Sequence, residues 1–369
     1  MIKRGKLRFI FGTLGLILVL AWAVFAQTPK PTPPPVDDDV IRVASRLVIV
    51  PVSITDSNGQ PVLNLTKADF VVNEENQPQE IAQVSDAEKV PLEIALLIDV
   101  SGSVNPLFEF EKKAAAQFLE STMRPVDRAT IFLIGDQPAL AAGRETAAEA
   151  AARVRIITLS SKYTAFYDTI TTAANYLQKN APPQSRRVIL ALTDGEDNWS
   201  NLTRDAEKST YRGVDVNTLT SQERTLLAAR TDVAHQVAQG KILRDLQNAD
   251  TVFYAINPAG ASYRLNKISL RAQNGLQKFA DETGGTAFLP KFQPTDLKDA
   301  YQSSANTRLN QETLTKIFRQ LANELQAQYL VQYYSETDFP KDKYVKLSVR
   351  LANPQNFRLR ARGGYFVKK

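Results

Sequence analysis

The chain has 369 residues, 43% hydrophobic and 23% charged, the balance of an ordinary globular protein rather than a disordered one. Its formal net charge is +6, but Lys3, Arg4, Lys6 and Arg8 supply most of the excess and no acid precedes Asp37. The remainder is too near balance to argue for nucleic acid. There is no cysteine and a single histidine, His235. Disulfides, thiolate metal sites and cysteine nucleophiles are excluded, and any histidine catalysis must pass through one residue.

The first segment is basic and then uncharged and mostly apolar over residues 9–26, closing on Val24-Phe25-Ala26. Residues 1–26 therefore read as a signal peptide or a retained single-helix anchor. In both cases the basic end stays cytoplasmic and the rest is exported, to the periplasm, cell envelope or medium, touching the membrane only through this segment if it is uncleaved. Residues 27–41 are proline-rich and end in acids (Asp37-Asp38-Asp39), an extended, solvated linker. Residues 42–90 carry strand signals: Arg46 to Ile54 is β-branched, Asp56-Ser57-Asn58-Gly59 is a turn, Phe70-Val71-Val72-Asn73 is a second strand and Gln79 to Val84 alternates.

From Leu92 the pattern changes to strand–helix alternation. Leu92–Ile98, Ala129–Ile134, Arg187–Leu192 and Thr251–Ile256 are apolar runs of strand length, as expected when both sheet faces are covered. Between them, Asn105–Met123, Thr146–Ile157, Ala165–Leu177 and Thr231–Gln247 have helical spacing, and Pro106 suits a first helical position. Residues 199–230 read as a polar, irregular excursion. Leu276–Asp281 and Glu312–Gln326 read as helices around a short strand at Thr286–Leu289. The chain then returns to strands at Tyr329–Tyr334, Tyr344–Leu351 and Phe357–Arg360. The expected fold is α/β: a doubly wound, mostly parallel sheet over residues 91–326, inserted in a small discontinuous β domain formed by the flanks, 42–90 plus 327–369. Short β flanks need each other, since two-stranded pieces alone are marginal.

The first apolar strand stops in Asp99-Val100-Ser101-Gly102-Ser103, placing a carboxylate and two hydroxyls at the rim where open α/β sheets hold ligands. Hard oxygens without His or Cys suit a hard divalent cation, Mg²⁺ first, with Mn²⁺ or Ca²⁺ as alternatives. A second apolar strand ends in Thr193-Asp194-Gly195. If both strands share one parallel sheet, Asp99 and Asp194 lie on one rim. The hydroxyl-rich loop 160–168 lies just before a helix, and a hydroxyl there could reach the same rim. The plain alternatives are a helix N-cap for the Asp99 run and an ordinary turn for Asp194.

Asp99-x-Ser101-x-Ser103, then Thr164 before a helix, then Thr193-Asp194-Gly195 after a strand, resembles the von Willebrand factor A-type domain over about residues 90–300. Phe70-Val71-Val72-Asn73, Thr283-Gly284-Gly285 and Gly363-Gly364-Tyr365 further resemble a bacterial exported subgroup of that family. The resemblance implies a Rossmann-like sheet with a metal-ion-dependent adhesion site. Ser101 and Ser103 would bind the ion through their hydroxyls, and Thr164 would bind in the ligand-engaged state, with Ser161 as the substitute. Asp99 and Asp194 would hold coordinated waters, or one of them would bind directly. The open position would take an acidic residue of a partner protein. Glu196 and Asp197 read as solvated loop acids and His235 as a surface residue. Tyr163, Tyr167 and Trp199 are partner contacts or packing. Without a Gly-x-Ser-x-Gly elbow or a second acid at position 101, no catalytic residue is expected and the chain reads as a binding module rather than an enzyme. A cell-envelope scaffold with a structural metal, and a metal-assisted hydrolase, are the alternatives.

Overall fold

The computed structural model describes residues 45–101, 108–160, 163–215, 217–258, 267–295, 297–353 and 356–368. The apolar N-terminal segment, the proline-rich linker, Gly102, Ser103 and Ser161 lie outside them. Among the described residues no helix is long and apolar enough to cross a membrane.

The first flank forms β1 (Arg46–Thr55), β2 (Phe70–Glu74), β3 (Gln77–Gln79) and β4 (Ile81–Ser85). The strand–helix region follows with β5 (Leu92–Asp99), α1 (Phe108–Thr122), β6 (Arg128–Ile134), β7 (Pro138–Glu145), α2 (Ala147–Arg155), α3 (Phe166–Asn180) and β8 (Arg186–Leu192). It continues through α4 (Asn201–Tyr211), α5 (Ser221–Asn248), β9 (Thr251–Ile256), α6 (Lys267–Thr283), β10 (Ala287–Phe288) and α7 (Ala300–Gln326). The second flank gives β11 (Gln328–Ser335), β12 (Tyr344–Leu351), β13 (Arg358–Ala361) and β14 (Gly364–Phe366).

The central sheet has the order β10-β9-β8-β5-β6-β7. All its pairings are parallel except that of the edge strand β7 with β6. The continuous apolar run of β5 divides its side chains between two faces, as a period of two requires. Leu92, Ile94, Leu96 and Ile98 pack with Phe118, Leu119, Val154, Leu314 and Phe318 of α1, α2 and α7. Ala95 and Leu97 pack with Ile170, Leu177, Ile242, Leu276 and Phe279 of α3, α5 and α6. Both faces are thus dry, and the one acid of the strand before the rim, Glu93, is buried in an ion pair with Arg144 (2.7 Å).

The flanks pair with one another. β1 runs antiparallel to β11, from Arg46 opposite Ser335 to Ser53 opposite Gln328, in a sheet of order β13-β1-β11-β4. A second antiparallel sheet, β14-β12-β2-β3, encloses with it a third core that includes Val50, Val52, Phe70, Val72, Tyr333, Val345 and Tyr365. The expected α/β class, with a mostly parallel sheet between paired β flanks, is the fold the chain adopts.

Two local expectations are corrected and one strand was not expected. The stretch 199–230 is helical over most of its length: α4 lies inside it, and α5 starts at Ser221 behind a capping box. In that box the Thr220 N–H donates to Glu223 Oε2 (2.8 Å) and the Glu223 N–H to Thr220 Oγ1 (3.3 Å). These turns are exposed on most sides, so no apolar stripe announces them. Likewise α7 begins well before Glu312, capped by Asp299, whose Oδ1 accepts from the Tyr301 and Gln302 N–H groups. The edge strand β7, alanine-rich and without β-branched residues, carries no strand signal at all.

Below the sheet, at the starts of β5 and β6, a carboxylate fastens the two regions. Buried Asp127 accepts from the Leu92 N–H (2.8 Å), the Arg124 N–H (2.7 Å) and the Arg124 guanidinium (2.9 Å), while that guanidinium also donates to the carbonyls of Glu88 and Val90. Burial alone would raise the Asp127 carboxyl; the Arg124 side chain and the two backbone donors outweigh it and hold the group below its ordinary value of 3.8. A carboxyl depressed in the folded state contributes stability that is present above its unfolded pKa and lost as pH falls through the folded value. We therefore expect Asp127→Asn to destabilise the protein at pH 7, with the gap from wild type closing as urea unfolding is repeated below pH 4. A gap independent of pH would reject the assignment.

Candidate metal centre

β5 and β8 are parallel neighbours with Ile98 opposite Leu192, so Asp99 and Thr193 leave the sheet side by side. The Thr193 hydroxyl donates to Asp99 Oδ2 (2.8 Å) and accepts from the Gly195 N–H (3.1 Å). The other Asp99 oxygen accepts from the Ser101 N–H (2.9 Å). Asp194 Oδ1 accepts from the Glu196 N–H (2.9 Å), which folds its loop back on itself. Thr193, quoted in the sequence pattern but given no role there, is the tie between the two acidic loops. Its signal was its place between a buried strand end and Asp194.

Gly195 is required twice over. Its φ is +82°, and a Cβ there would come within 2.8 Å of Leu276 Cγ and 3.1 Å of the Ala272 carbonyl oxygen of α6. Gly195→Ala is expected to cost about 2–4 kcal/mol, combining left-handed strain with overpacking. Thermal unfolding measures the loss; an unchanged midpoint would refute the close approach.

Thr164 is buried, in the loop that opens α3. Its N–H donates to Asn198 Oδ1 (2.8 Å), and its carbonyl accepts from the Asn198 and Trp199 N–H groups (3.0 and 3.1 Å). The Ala165 N–H donates to the Gly135 carbonyl at the end of β6, and the Ser160 N–H to the Val100 carbonyl beside Asp99. The fold thus brings Asp99, Ser101 and Asp194 to one rim and fixes the Thr164 loop to the continuation of the Asp194 loop. Ser103 lies outside the described residues.

Of the two loop acids, Asp197 is not solvated, and Glu196 is half-buried. Asp197 is buried and accepts from the Tyr167 N–H (3.1 Å), the Thr203 hydroxyl (2.7 Å) and the Ser200 hydroxyl. It joins the first turns of α3 and α4 to the rim. Glu196 Oε1 accepts from the Ser269 hydroxyl of α6 (2.8 Å). His235 is buried too, edge-on to the Tyr167 ring at 5.9 Å, because α5 turns that side inward. Tyr167, whose hydroxyl accepts from Gln239 Nε2 (3.1 Å), is core packing. Tyr163 and Trp199 stand at the surface instead.

Both described carboxyls of the rim are raised above their ordinary value. Burial raises the Asp194 carboxyl to about 6; the Glu196 N–H opposes this, and the charges of Asp99 and Glu196 add to it. Asp99 is also raised, first by burial and further by Glu196, against the hydrogen bonds from Ser101 and Thr193. Among the described residues no cluster of three or more His, Asp or Glu side chains is arranged to take an ion by itself. Two partly desolvated carboxylates among hydroxyls, with no His or Cys, are the donor chemistry of a hard cation that retains water. The residues present fit such an ion.

Residues 94–196 match the family model for the von Willebrand factor type A domain. No curated protein matches the chain. Among solved structures it is similar to an aerotolerance-related membrane protein from Bacteroides fragilis, at 16% identity and a TM-score of 0.32, covering 61% of this chain and 99% of that one. BatB from Bacteroides thetaiotaomicron gives 14% identity and a TM-score of 0.34, with coverage of 61% and 99%. Proximal thread matrix protein 1 from the mussel byssus, with a zinc-occupied MIDAS motif, gives 14% and 0.38, covering 67% of this chain and 48% of that one.

Proposed function

Since the chain carries a von Willebrand factor type A domain, we propose that it is an exported, metal-dependent protein-binding or adhesion module. Domains of this family are commonly adhesion or interaction modules. The observation that carries the reading is the convergence of Asp99, Ser101 and Asp194 on one rim through the Thr193 hydroxyl. Asp99, Ser101, Ser103, Thr164 and Asp194 would hold the cation, Mg²⁺ by the hardness of the donors. When bound, the ion would supply an open coordination position for an acidic side chain of a partner protein.

The chain's own residues do the positioning. Thr193 and the Ser101 N–H fix both oxygens of Asp99. Gly195 lets α6 close on the loop behind Asp194. Asn198 holds the backbone of Thr164 from both sides, so its placement does not depend on the ion. In this reading residues 91–326 are the binding domain, residues 42–90 and 327–369 the β domain that carries it, and residues 1–41 the export segment and spacer that place it in the cell envelope or beyond.

Trp22 and Trp199 are the two tryptophans of the chain. In a Trp22→Phe variant, Trp199 alone reports on the rim. Its emission should shift saturably with Mg²⁺ and return with EDTA, and the immobilised protein should retain an envelope protein in Mg²⁺ and release it in EDTA. Retention that survives EDTA would replace this reading with that of a scaffold whose partners use another surface.

A further inference from the structure

The Tyr163 and Trp199 rings stack with centroids 4.0 Å apart and planes 16° from parallel. The two residues belong to none of the three cores, and Tyr163 is 44% exposed. Yet the pair is firmly built. Tyr163 directly precedes Thr164, and the Trp199 N–H donates to the Thr164 carbonyl oxygen (3.1 Å). The Arg204 guanidinium lies over the Trp199 ring, 5.3 Å from its centroid, and its Nη2 is held by Asn201 Oδ1. The stack is therefore fixed relative to Thr164 by the same hydrogen bonds that fix the rim.

The indole is half-buried between Tyr163 and Arg204, and the ring left in water is that of Tyr163; an exposed aromatic backed by a second ring beside a polar site is the composition of an interface anchor. Because the stack adjoins Thr164, a chain whose acidic side chain enters the rim beside Thr164 would bring its neighbouring residues within reach of the stack. With a guanidinium already over the indole, a second cation on the pair is disfavoured, whereas a flat neutral ring gains offset-stacked area.

Resting on the function proposed above, we infer that Tyr163 and Trp199 form a specificity platform that accepts an aromatic side chain lying within a few residues of the partner's acidic residue. The rim would take the acid and the stack would read its neighbour.

The test pans a displayed random heptapeptide library in Mg²⁺, with elution by EDTA, against the full immobilised chain and its Tyr163→Phe and Tyr163→Ala variants. Wild type and Tyr163→Phe should enrich acidic peptides carrying an aromatic residue at a constant spacing from the acid. Tyr163→Ala should enrich acidic peptides without that residue and bind the wild-type-selected peptide roughly five- to tenfold more weakly. The Mg²⁺ affinity of this variant should be unchanged, which shows that the rim is intact. Acidic peptides from wild type with no spaced aromatic, or the same preference from Tyr163→Ala, would overturn the platform and leave the metal-dependent reading standing. No EDTA-eluted acidic peptides from wild type would overturn both.

Discussion

Asp99→Asn should bind Mg²⁺ roughly 100-fold more weakly than wild type, yet unfold at a higher temperature than wild type when both are metal-free. The two effects have one cause. Asp99 sits at a partly dry rim where Asp194 and Glu196 add negative charge. Without a cation, that repulsion and the burial of a charge oppose folding; with one, the same charges are what bind it. Asparagine keeps the shape of the site. Its Oδ1 still accepts from the Ser101 N–H, and its amide can donate to the Thr193 hydroxyl, which now donates to Asp99. Alanine would not be equivalent, because it offers no partner at all: the Ser101 N–H loses its acceptor and the Thr193 hydroxyl faces an empty space. Calorimetric titration with Mg²⁺ and thermal unfolding in EDTA give the two readouts. Undiminished Mg²⁺ affinity would remove Asp99 from the site, and a lower metal-free midpoint would show that its hydrogen bonds outweigh the repulsion.

The largest stability effect is expected far from the rim. In the β region, buried Glu74 accepts from the hydroxyls of Tyr333 (2.7 Å), Tyr365 (2.7 Å) and Ser335 (2.8 Å), all three buried. Burial and the adjacent Glu74 push both tyrosine hydroxyls up, Tyr365 to about 12, so they act as donors across the ordinary pH range. Glu74→Ala removes the carboxylate that accepts from both phenols and opens a cavity between the sheets. We expect a loss of about 3–5 kcal/mol, read by urea unfolding. Glu74→Gln keeps one carbonyl acceptor and should cost clearly less. Equal costs for the two would mean that lost volume, not the polar network, sets the penalty. Since β1 and β11 come from opposite ends of the described chain, the same variants test whether the paired flanks unfold together with the central sheet.

Much of this was legible in the residues. The apolar runs Ile94–Ile98, Val188–Leu192 and Val252–Ile256 of β5, β8 and β9 stand out because both faces of the sheet are covered. Asp99 stands out because it follows such a run directly, and Asp194 because only Thr193 separates it from one. The hidden parts were hidden for physical reasons. α4 and the first turns of α5 are solvated on most sides and have too few apolar residues to mark a stripe. Asp197 and His235 look like surface residues because nothing local shows which side of their loop or helix faces inward. Burial of Asp197 depends on Ser200, Thr203 and the Tyr167 N–H, the last from a distant part of the chain.

The chain alone determined which residue types stand where strands end, and with them the hard-oxygen character of the rim. It also determined that no thiol chemistry is available. Local sequence decides these things, since strand length, turn chemistry and donor type are properties of a few adjacent residues. The tertiary structure decided which loops share a rim and which acids are buried. It also decided that Trp199 stacks on Tyr163 beside Thr164. Each of these depends on pairing across the sheet, and the Ile98–Leu192 register that sets Asp99 beside Thr193 joins residues far apart in sequence.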